Sequence, residues 1–550
     1  MAIHESGHLL NQPGESIKHS YPHNWRSKTP VIFRATDQWF ISVDHNGLRK
    51  KALSEIEKTA WIPPWGENRI NGMIEKRPDW VLSRQRLWGV PIPTFSCQDC
   101  ESSTADADFM DHVAAVFDEK GADAWYEDGG KGLIPPETKC SHCGSKNIVL
   151  DDSIVDVWFE SGCSWLAVCE EREELCHADL YLEGSDQHRG WFHSSLLVSI
   201  GVAEKAPYKS VLTHGFVLDD NGVPYSKSAI EKAKKAGKKS KYIPPDDVIG
   251  KFGAEILRLW VSSTEFRNDI PYSQTILTGL SDFYRKFRNT SRFILGNLGD
   301  FDPNKITKDT VQLNTIDQYA LAKLDHFVFT VKNAYDNFQF HHVYKAMADY
   351  LSTEVSSFYL DVTKDRLYCD KPDSARRQAA QYVLYQIGVS LTKVAAPILC
   401  FTAEDIWDHL PKTEGAPNSV HLTTMPSGQS MDEDGDMQKR WSMLFGYRDL
   451  VASPLEEFRA QKNRAEQAVV TISPKPEDHK ALEELQETLK DVLLVSEIIV
   501  SPPNASKTSS VSIKKSEHNH CERCRLYFKT LAKQPEDVCN RCSEALAASP

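Results

Sequence analysis

"YLEGSDQHRGWFHSS", residues 181–195, decides the fold. A β-prone apolar run ends in Glu-Gly, a short polar turn follows, and then a helical run begins. Around it, from Ile154 to Leu218, "IVDVWF", "DLYLEG", "WFHSSLLVSIGVA" and "SVLTHGFVL" alternate strand-like and helical character. That alternation is the mark of an α/β unit built on a parallel sheet. In an open α/β sheet, ligands sit in the crevice outside the carboxyl ends of the strands, which is where Glu183, Asp186, Gln187, His188 and Arg189 fall. Gly184 and Gly190 let a ligand approach the backbone closely. A carboxylate binds an ammonium, Asp and Gln hold hydroxyls or amides, and amides at a helix start suit an anion. Taken alone, the same loop also reads as a solvated, salt-bridged turn.

The chain has 550 residues, 41% hydrophobic and 26% charged, which predicts several globular domains with ample core. Its first residues carry neither an apolar export segment nor an Arg-rich transit pattern. The longest apolar stretch, Val383 to Phe401, is interrupted by Gln386, Thr392 and Lys393, so it reads as a buried amphipathic helix and not a bilayer span. The expectation is a cytoplasmic protein with no membrane partner. A net charge of −13 argues against general, non-specific nucleic-acid binding, although local basic patches can still grip phosphates.

Eight of the thirteen cysteines form four C-x-x-C pairs: Cys97/Cys100, Cys140/Cys143, Cys521/Cys524 and Cys539/Cys542. Such a turn points two thiolates at one ion, and a second pair completes a four-thiolate site. Two structural zinc ions are therefore expected, one for each set of two pairs. Cys163, Cys169, Cys176, Cys369 and Cys400 lack such partners and read as buried small apolar residues.

Outside the α/β unit, "TPVIFRATDQWFISVD" (29–44) reads as extended, and "WVLSRQRLWGVPIPTF" (80–95) as a buried strand leaving a core for the first cysteine ribbon. After Val248 long helical patterns follow one another, among them "YRKFRNTSRFILGNL", "IDQYALAKLDHFVFTVKNAYDNF" and "AMADYLSTEVSSFYLDVTKDRL", and predict a helical bundle. Residues 411–439, rich in Gly, Ser, Pro and acid, read as an exposed connection, and "SPPNASKTSS" as a linker to the last cysteines. A second chemical loop is "HGFVLDDNGVPYSKSAI", where Lys227 lies between Ser226 and Ser228 ahead of a lysine-rich run. Lys227 is placed to contact a polyphosphate whose charge grows in a transition state. By itself "SKS" equally describes a solvated lysine loop.

In order, "YPHNWRSKTPVIFRATDQWFISVD", "RPDWVLSRQRLWGVPIPTF", "DVWFESG", "YLEGSDQHRGWF", "LTHGFVLD", "GAEILRLWVSS", "SSFYLDVTKDRLY" and the terminal "CERC…CNRC" resemble the blocks of the bacterial isoleucyl-tRNA synthetases, class I aminoacyl-tRNA synthetases. The resemblance implies a multidomain chain: the C-terminal half of a Rossmann-like α/β catalytic domain, an α-helical anticodon-binding bundle and two small zinc ribbons. It implies that Glu183, Gly184, Asp186 and Gln187 line the aminoacyl-adenylate site, that Trp191 and Trp158 shape the isoleucine pocket, and that Lys227, with Ser226 and Ser228, meets ATP. The implied reaction is attack of the isoleucine carboxylate on the α-phosphate of an ATP–magnesium complex, then transfer to isoleucine tRNA.

By the same resemblance the chain divides into terminal strands of an editing insertion (1–55), a return into the catalytic domain (56–96), a zinc ribbon (97–150), and the catalytic C-terminal half with the SKS loop (151–285). The anticodon bundle (286–460), a connector (461–515) and a terminal zinc-binding domain (516–550) follow. Two departures stand out. The family's K-M-S-K-S loop has Pro224 and Tyr225 at its first two positions, so only Lys227 of its two lysines remains. The family's H-I-G-H block is nowhere in these residues, so the expectation is the C-terminal portion of a synthetase whose N-terminal half is a separate chain or was lost from the gene model. The alternative is an inactive tRNA-binding relative.

Overall fold

The computed structural model describes residues 20–24, 27–172, 175, 177–219, 244–432, 435–503, 508–533 and 537–548, with residues 5, 6, 18, 222, 224 and 235 in isolation. It divides into two compact units, 1–213 and 214–550, so the segment 151–285 contributes to both.

In the first unit, strand β1 (Phe40–Ile41) leads to helix α1 (Leu48–Lys58), strand β2 (Ala60–Ile62), helix α2 (Trp65–Glu75) and the short strands β3 (Trp80–Val81) and β4 (Ser83–Arg84). A ribbon subdomain follows, with β5 (Phe95–Cys97), β6 (Ser103–Thr104), α3 (Ala107–Lys120) and β7 (Ile148–Leu150). Its sheet runs β6-β5-β7, both pairings antiparallel. It has its own core of Phe95, Phe109, Val113, Trp125 and Leu133. The chain then re-enters through β8 (Ile154–Val155), α4 (Val157–Gly162), β9 (Ala178–Gly184), α5 (Trp191–Ala203) and β10 (Tyr208–His214). The expected parallel pairing is present where β10 meets β2, with Ser210 beside Ala60 and Leu212 beside Ile62. The sheet order is β2-β10-β9, which leaves β9 at its edge.

Helix α5 is the packing centre of this unit. Residues Phe192 to Ile200 are all buried, as expected for a helix without a polar face. Three readings of the sequence need correction here. "IVDVWF" is not one strand: pairing stops at Val155, because the Asp156 carboxylate accepts the Trp158 amide at 3.2 Å and starts α4. An N-cap overrides β propensity. "WVLSRQRLWGVPIPTF" is not a buried strand either, since β3 and β4 are two residues each and Leu87 and Trp88 are almost wholly exposed. Gly89 turns the chain there at φ 152, where an added Cβ would lie 2.4 Å from Ile154 Cδ1. Finally, within 29–44 only Phe40 and Ile41 pair as strand.

In the second unit, β11 (Val217–Leu218) pairs in parallel with β12 (Ile270–Pro271), which follows helices α6 (Pro245–Phe252) and α7 (Ala254–Ser263). The bundle consists of α8 (Gln274–Gly296), α9 (Thr315–Asp336), α10 (Phe340–Asp349), a π-helical stretch at Tyr350–Tyr359, α11 (Leu360–Cys369), α12 (Ala375–Ala395), α13 (Cys400–His409) and α14 (Asp436–Ala460). Among the described residues no helix is long and apolar enough to cross a membrane. The connection 411–439 is less exposed than its composition predicts. Val420 is buried, Met425 and Met431 pack on the core, and Gly428 lies so close to α9 that a Cβ would fall 2.2 Å from the Asp325 carbonyl.

Beyond the bundle, β13 (Ala468–Ser473), α15 (His479–Glu484), α16 (Gln486–Leu493), β14 (Glu497–Val500) and β15 (Ser510–Lys515) form a small domain with sheet order β14-β13-β15. The expected linker therefore ends in a strand. The terminal ribbon adds β16 (Asn519–His520), β17 (Tyr527–Phe528) and α17 (Asn540–Ala547). A buried ionic cluster ties these parts together. Arg366 of α11 reaches both carboxylate oxygens of Asp317 at 3.2 Å and Asp491 of α16 at 3.3 Å, and Tyr359 donates to Asp317 at 2.8 Å. Arg366 and Asp317 are at most 1% exposed. Removing one member of such a pair strands the other charge in the core. Asp317→Ala should therefore lower unfolding free energy by about 3–5 kcal/mol, read as a shift of the urea midpoint. A loss under about 1 kcal/mol, typical of exposed ion pairs, would contradict it.

Candidate functional site

The turn after β9 joins a strand to a helix as the sequence predicts, and part of it holds the fold. Residues Ser185–Arg189 form a single 3-10 turn between β9 and α5. Glu183 is exposed at the carboxyl end of β9, and Gly184 is buried beside it. Asp186 is exposed and accepts Gln187 Nε2 at 3.0 Å. Gln187 Oε1 in turn accepts the Trp191 amide at 2.9 Å, satisfying a donor at the start of α5. That geometry demands glycine at 190, since a Cβ there would lie 2.6 Å from Gln187 Oε1 and 2.8 Å from the Trp158 ring. Trp191 stacks on Tyr181 of β9, centroids 4.0 Å apart and planes within 10°. Its indole N–H donates to Ser161 O at 3.0 Å and Ser164 Oγ at 3.2 Å, both from the α4 side. Trp158, at the start of α4, is 42% exposed.

The structure thus brings Glu183, Gly184, Asp186, Gln187, Trp191 and Trp158 around one strand end. Lys227, Ser226 and Ser228 lie outside the described residues, as does Cys176. His188 is not a surface group. It is fully buried, with Nδ1 at 3.1 Å from Ser185 O and its ring against Trp61, Trp65 and Phe192, and burial lowers its pKa. Sequence reading missed Asp156. It caps α4 while accepting Trp80 Nε1 at 3.0 Å and Arg84 Nη2 at 2.7 Å, so it fixes the backbone that carries Trp158. The N-cap position before "VWFES" was the available signal.

The paired cysteines gather as expected into two groups, Cys97/Cys100/Cys140/Cys143 and Cys521/Cys524/Cys539/Cys542, with all sulfurs of a group within 4.8 Å of one another. The local cause is a shared knuckle. After Cys100, Cys143 and Cys524 stand Glu101, Gly144 and Arg525 at φ 57, 73 and 64, and each donates its amide to the carbonyl of the first cysteine of its pair. The fourth pair, Cys539/Cys542, uses the start of α17 instead. Amides also reach sulfur, His142 N to Cys140 Sγ at 3.4 Å and Cys539 N to Cys521 Sγ at 3.2 Å. Sulfurs at 3.6 Å (Cys97 to Cys143, Cys100 to Cys140) and 3.9 Å (Cys524 to Cys539) match the roughly 3.8 Å edge of a tetrahedron with Zn–S of about 2.3 Å. Each group has the donor chemistry and spacing for one tetrahedral ion. Of the unpaired cysteines among the described residues only Cys369 is buried, packed beside the terminal group; Cys163, Cys169 and Cys400 are partly exposed.

With this geometry in view, comparison with known proteins places the chain. Residues 16–273 match the family model of class I tRNA synthetases (I, L, M and V), and residues 317–473 match the anticodon-binding domain of tRNA ligases. The chain belongs to the class I tRNA synthetases. Within that class it is similar to isoleucine–tRNA ligases: it is 42% identical to that of Geobacter sulfurreducens over 99% of its own length, and 43% identical to that of Syntrophotalea carbinolica over 98%. It spans 59% and 58% of the length of those two proteins. A Mycobacterium tuberculosis methionyl-tRNA synthetase bound by methionyl-adenylate shares the fold, with TM-score 0.50 and 15% identity over 76% of this chain and 71% of the other.

For the metal groups, reduced protein should carry about two zinc ions per chain by atomic spectroscopy, and Cys521→Ser about one. A count near zero, with all eight paired thiols alkylated in the native state, would rule the assignment out.

Proposed function

We propose that this chain serves isoleucine activation and its transfer to isoleucine tRNA. The observation that carries the reading is the cluster of Glu183, Gly184, Asp186, Gln187, Trp191 and Trp158 at one strand end, in a chain 42% identical to an isoleucine–tRNA ligase over nearly its whole length. In this reading the exposed Glu183 carboxylate takes the amino acid's ammonium. The Gly184 backbone and the Asp186–Gln187 pair border the adenylate, and Trp191 and Trp158 bound the aliphatic side chain. Lys227, with Ser226 and Ser228, meets the phosphates of the ATP–magnesium complex as the leaving pyrophosphate gains charge. Because Gln187 Oε1 is committed to α5 and one N–H of its amide to Asp186, it is the second N–H of Gln187 and the remaining acceptor capacity of the Asp186 carboxylate that face a ligand. Nothing here abstracts a proton from carbon, so catalysis of this kind rests on positioning and charge stabilisation. The two cysteine groups hold structural zinc, consistent with a reducing cytoplasmic setting.

The bundle supplies a place for RNA. Arg285, Lys286 and Asn289 of α8 and Lys364 of α11 border an open groove of about 580 Å3. Lys286 donates to Ser352 Oγ at 2.8 Å, and among the described residues Arg285 and Lys364 pair within their own helices, with Asp282 and Asp361. Such a stripe suits a phosphate backbone. Arg285→Ala and Lys286→Ala should each weaken binding of isoleucine tRNA and reduce the salt slope by about one. Unchanged affinity in both variants by filter binding would remove the groove from the RNA surface.

Activation needs ATP held on a second side by the H-I-G-H histidines, which this sequence does not contain. Losing such preorganised groups commonly costs about 10²–10³ each. The expected result is no isoleucine-dependent ATP–pyrophosphate exchange by this chain alone, and exchange that depends on Lys227 once a separately expressed N-terminal half is added. Exchange by the chain alone would show the ATP site to lie elsewhere. Absence of rescue by any such half would favour the inactive tRNA binder.

A further inference from the structure

A cavity of about 260 Å3 in the first unit is used by almost none of the groups assigned above. Trp158 forms part of its wall, whereas Glu183, Gly184, Asp186, Gln187 and Trp191 do not line it. Its charged lining comprises Arg77 and Asp79 from the turn before β3, Arg84 of β4, Asp156 ahead of α4, and Arg189 from the turn after β9. Arg84 and Asp156 cancel each other at 2.7 Å, and Asp79 accepts the Val43 amide at 3.0 Å. Arg77 and Arg189 have no ion-pair partner among the described residues.

The cavity is built, not incidental. Arg77 is half-buried with its Nε unpartnered among the described residues, and its guanidinium lies over Trp80 at 5.4 Å. Its backbone is pinned because Arg49 donates to the Ile74 carbonyl at 2.6 Å and to the Arg77 carbonyl at 2.8 Å. In the same wall sits His193, 3% exposed, with neither ring nitrogen hydrogen-bonded among the described residues. Its pKa is pulled down to about 3, first by burial and then by Arg77 and Arg189, so at neutral pH the ring is uncharged and has an N–H to give. Arg77 is half-buried beside a desolvated imidazole, with no ion pair of its own among the described residues and the Asp156 carboxylate acting on it only at a distance, while Arg189 stands exposed at the same cavity; the buried guanidinium costs free energy as it stands. A single anion between them removes that cost.

We propose that this cavity is an oxyanion site that takes a phosphate group between Arg77 and Arg189, backed by His193. Phosphate is favoured over a carboxylate because its several oxygens and near-double charge match two guanidinium forks. Two sources share this chemistry: free inorganic phosphate, and a phosphodiester of a bound RNA strand. The inference stands on the cavity and holds whether or not the aminoacylation reading does.

The test uses the whole chain in chloride buffer, titrated calorimetrically with inorganic phosphate. The native chain should bind saturably, and Arg77→Gln and Arg189→Gln should each weaken binding about tenfold or more. Arg189 is exposed, so its replacement leaves the fold intact and an unchanged thermal midpoint confirms it. A short single-stranded RNA without terminal phosphate distinguishes the sources: displacement of phosphate assigns the phosphodiester, and simultaneous binding assigns the free anion. No saturable phosphate binding by the native chain, or binding unaltered in both variants, overturns the proposal.

Discussion

Helices that begin inside a protein present amide donors that no water can satisfy, and in this chain that requirement fixes several residues that look chemical in the sequence. Gln187 answers it for α5, whose first nine residues after Trp191 are buried. Asp156 answers it for α4. In the second unit Glu255 of α7 accepts the amides of Phe401 and Thr402, at 2.9 and 3.0 Å, and so caps α13 from another helix while also receiving Tyr284 at 3.2 Å. Asn314 and Asp317 form a capping box at α9, with Asp317 then buried against Arg366. Each acceptor is polar because the backbone needs it to be, and each then becomes a fixed point from which neighbouring side chains are aimed.

This double duty explains which parts were legible. The strand, turn and helix of 181–195 were readable because apolar period, glycine position and polar turn all agree, and the four cysteine pairs because their spacing leaves few alternatives. The bundle was readable from helical period alone. What escaped were features decided by contacts far apart in sequence. Asp156 ends a β-prone run because Trp80 and Arg84, more than seventy residues earlier, share its carboxylate. Trp88 and Leu87 look like core residues and lie at the surface. The polar stretch 411–439 looks like solvent-facing loop and contributes Val420 to the core. Local composition carries no information about any of these partners.

The terminal ribbon illustrates how a small domain without much core can still be placed firmly. It buries few large side chains of its own, its cluster being four paired cysteines with Val538 and Cys369. Position comes instead from two arginines. Arg541 of α17 engages Asp365 at 2.7 Å and Asp370 at 3.0 Å, and Arg523, inside the Cys521–Cys524 knuckle, donates to the carbonyls of Tyr368 and Cys369. All four targets lie within four residues of Arg366, the residue that joins the bundle to α16. The C-terminal end of α11 therefore carries the couplings among bundle, connecting domain and ribbon, and the knuckle closed by the Arg525 amide on the Cys521 carbonyl is what holds the backbone of Arg523.

The first ribbon is organised by the same knuckle geometry but is attached differently. It hangs from two strands, β5 and β7, and closes on its own aromatic core of Phe95, Phe109 and Trp125. Its tie to the body of the unit passes through Asp151, which accepts Trp39 Nε1 at 2.8 Å, and whose carbonyl receives Trp125 Nε1 at 3.2 Å. Three residues further on the chain becomes β8 and then Asp156. The ribbon and the cap that sets Trp158 are thus separated by only a few residues of chain, and that cap is held from the other side by Trp80 and Arg84.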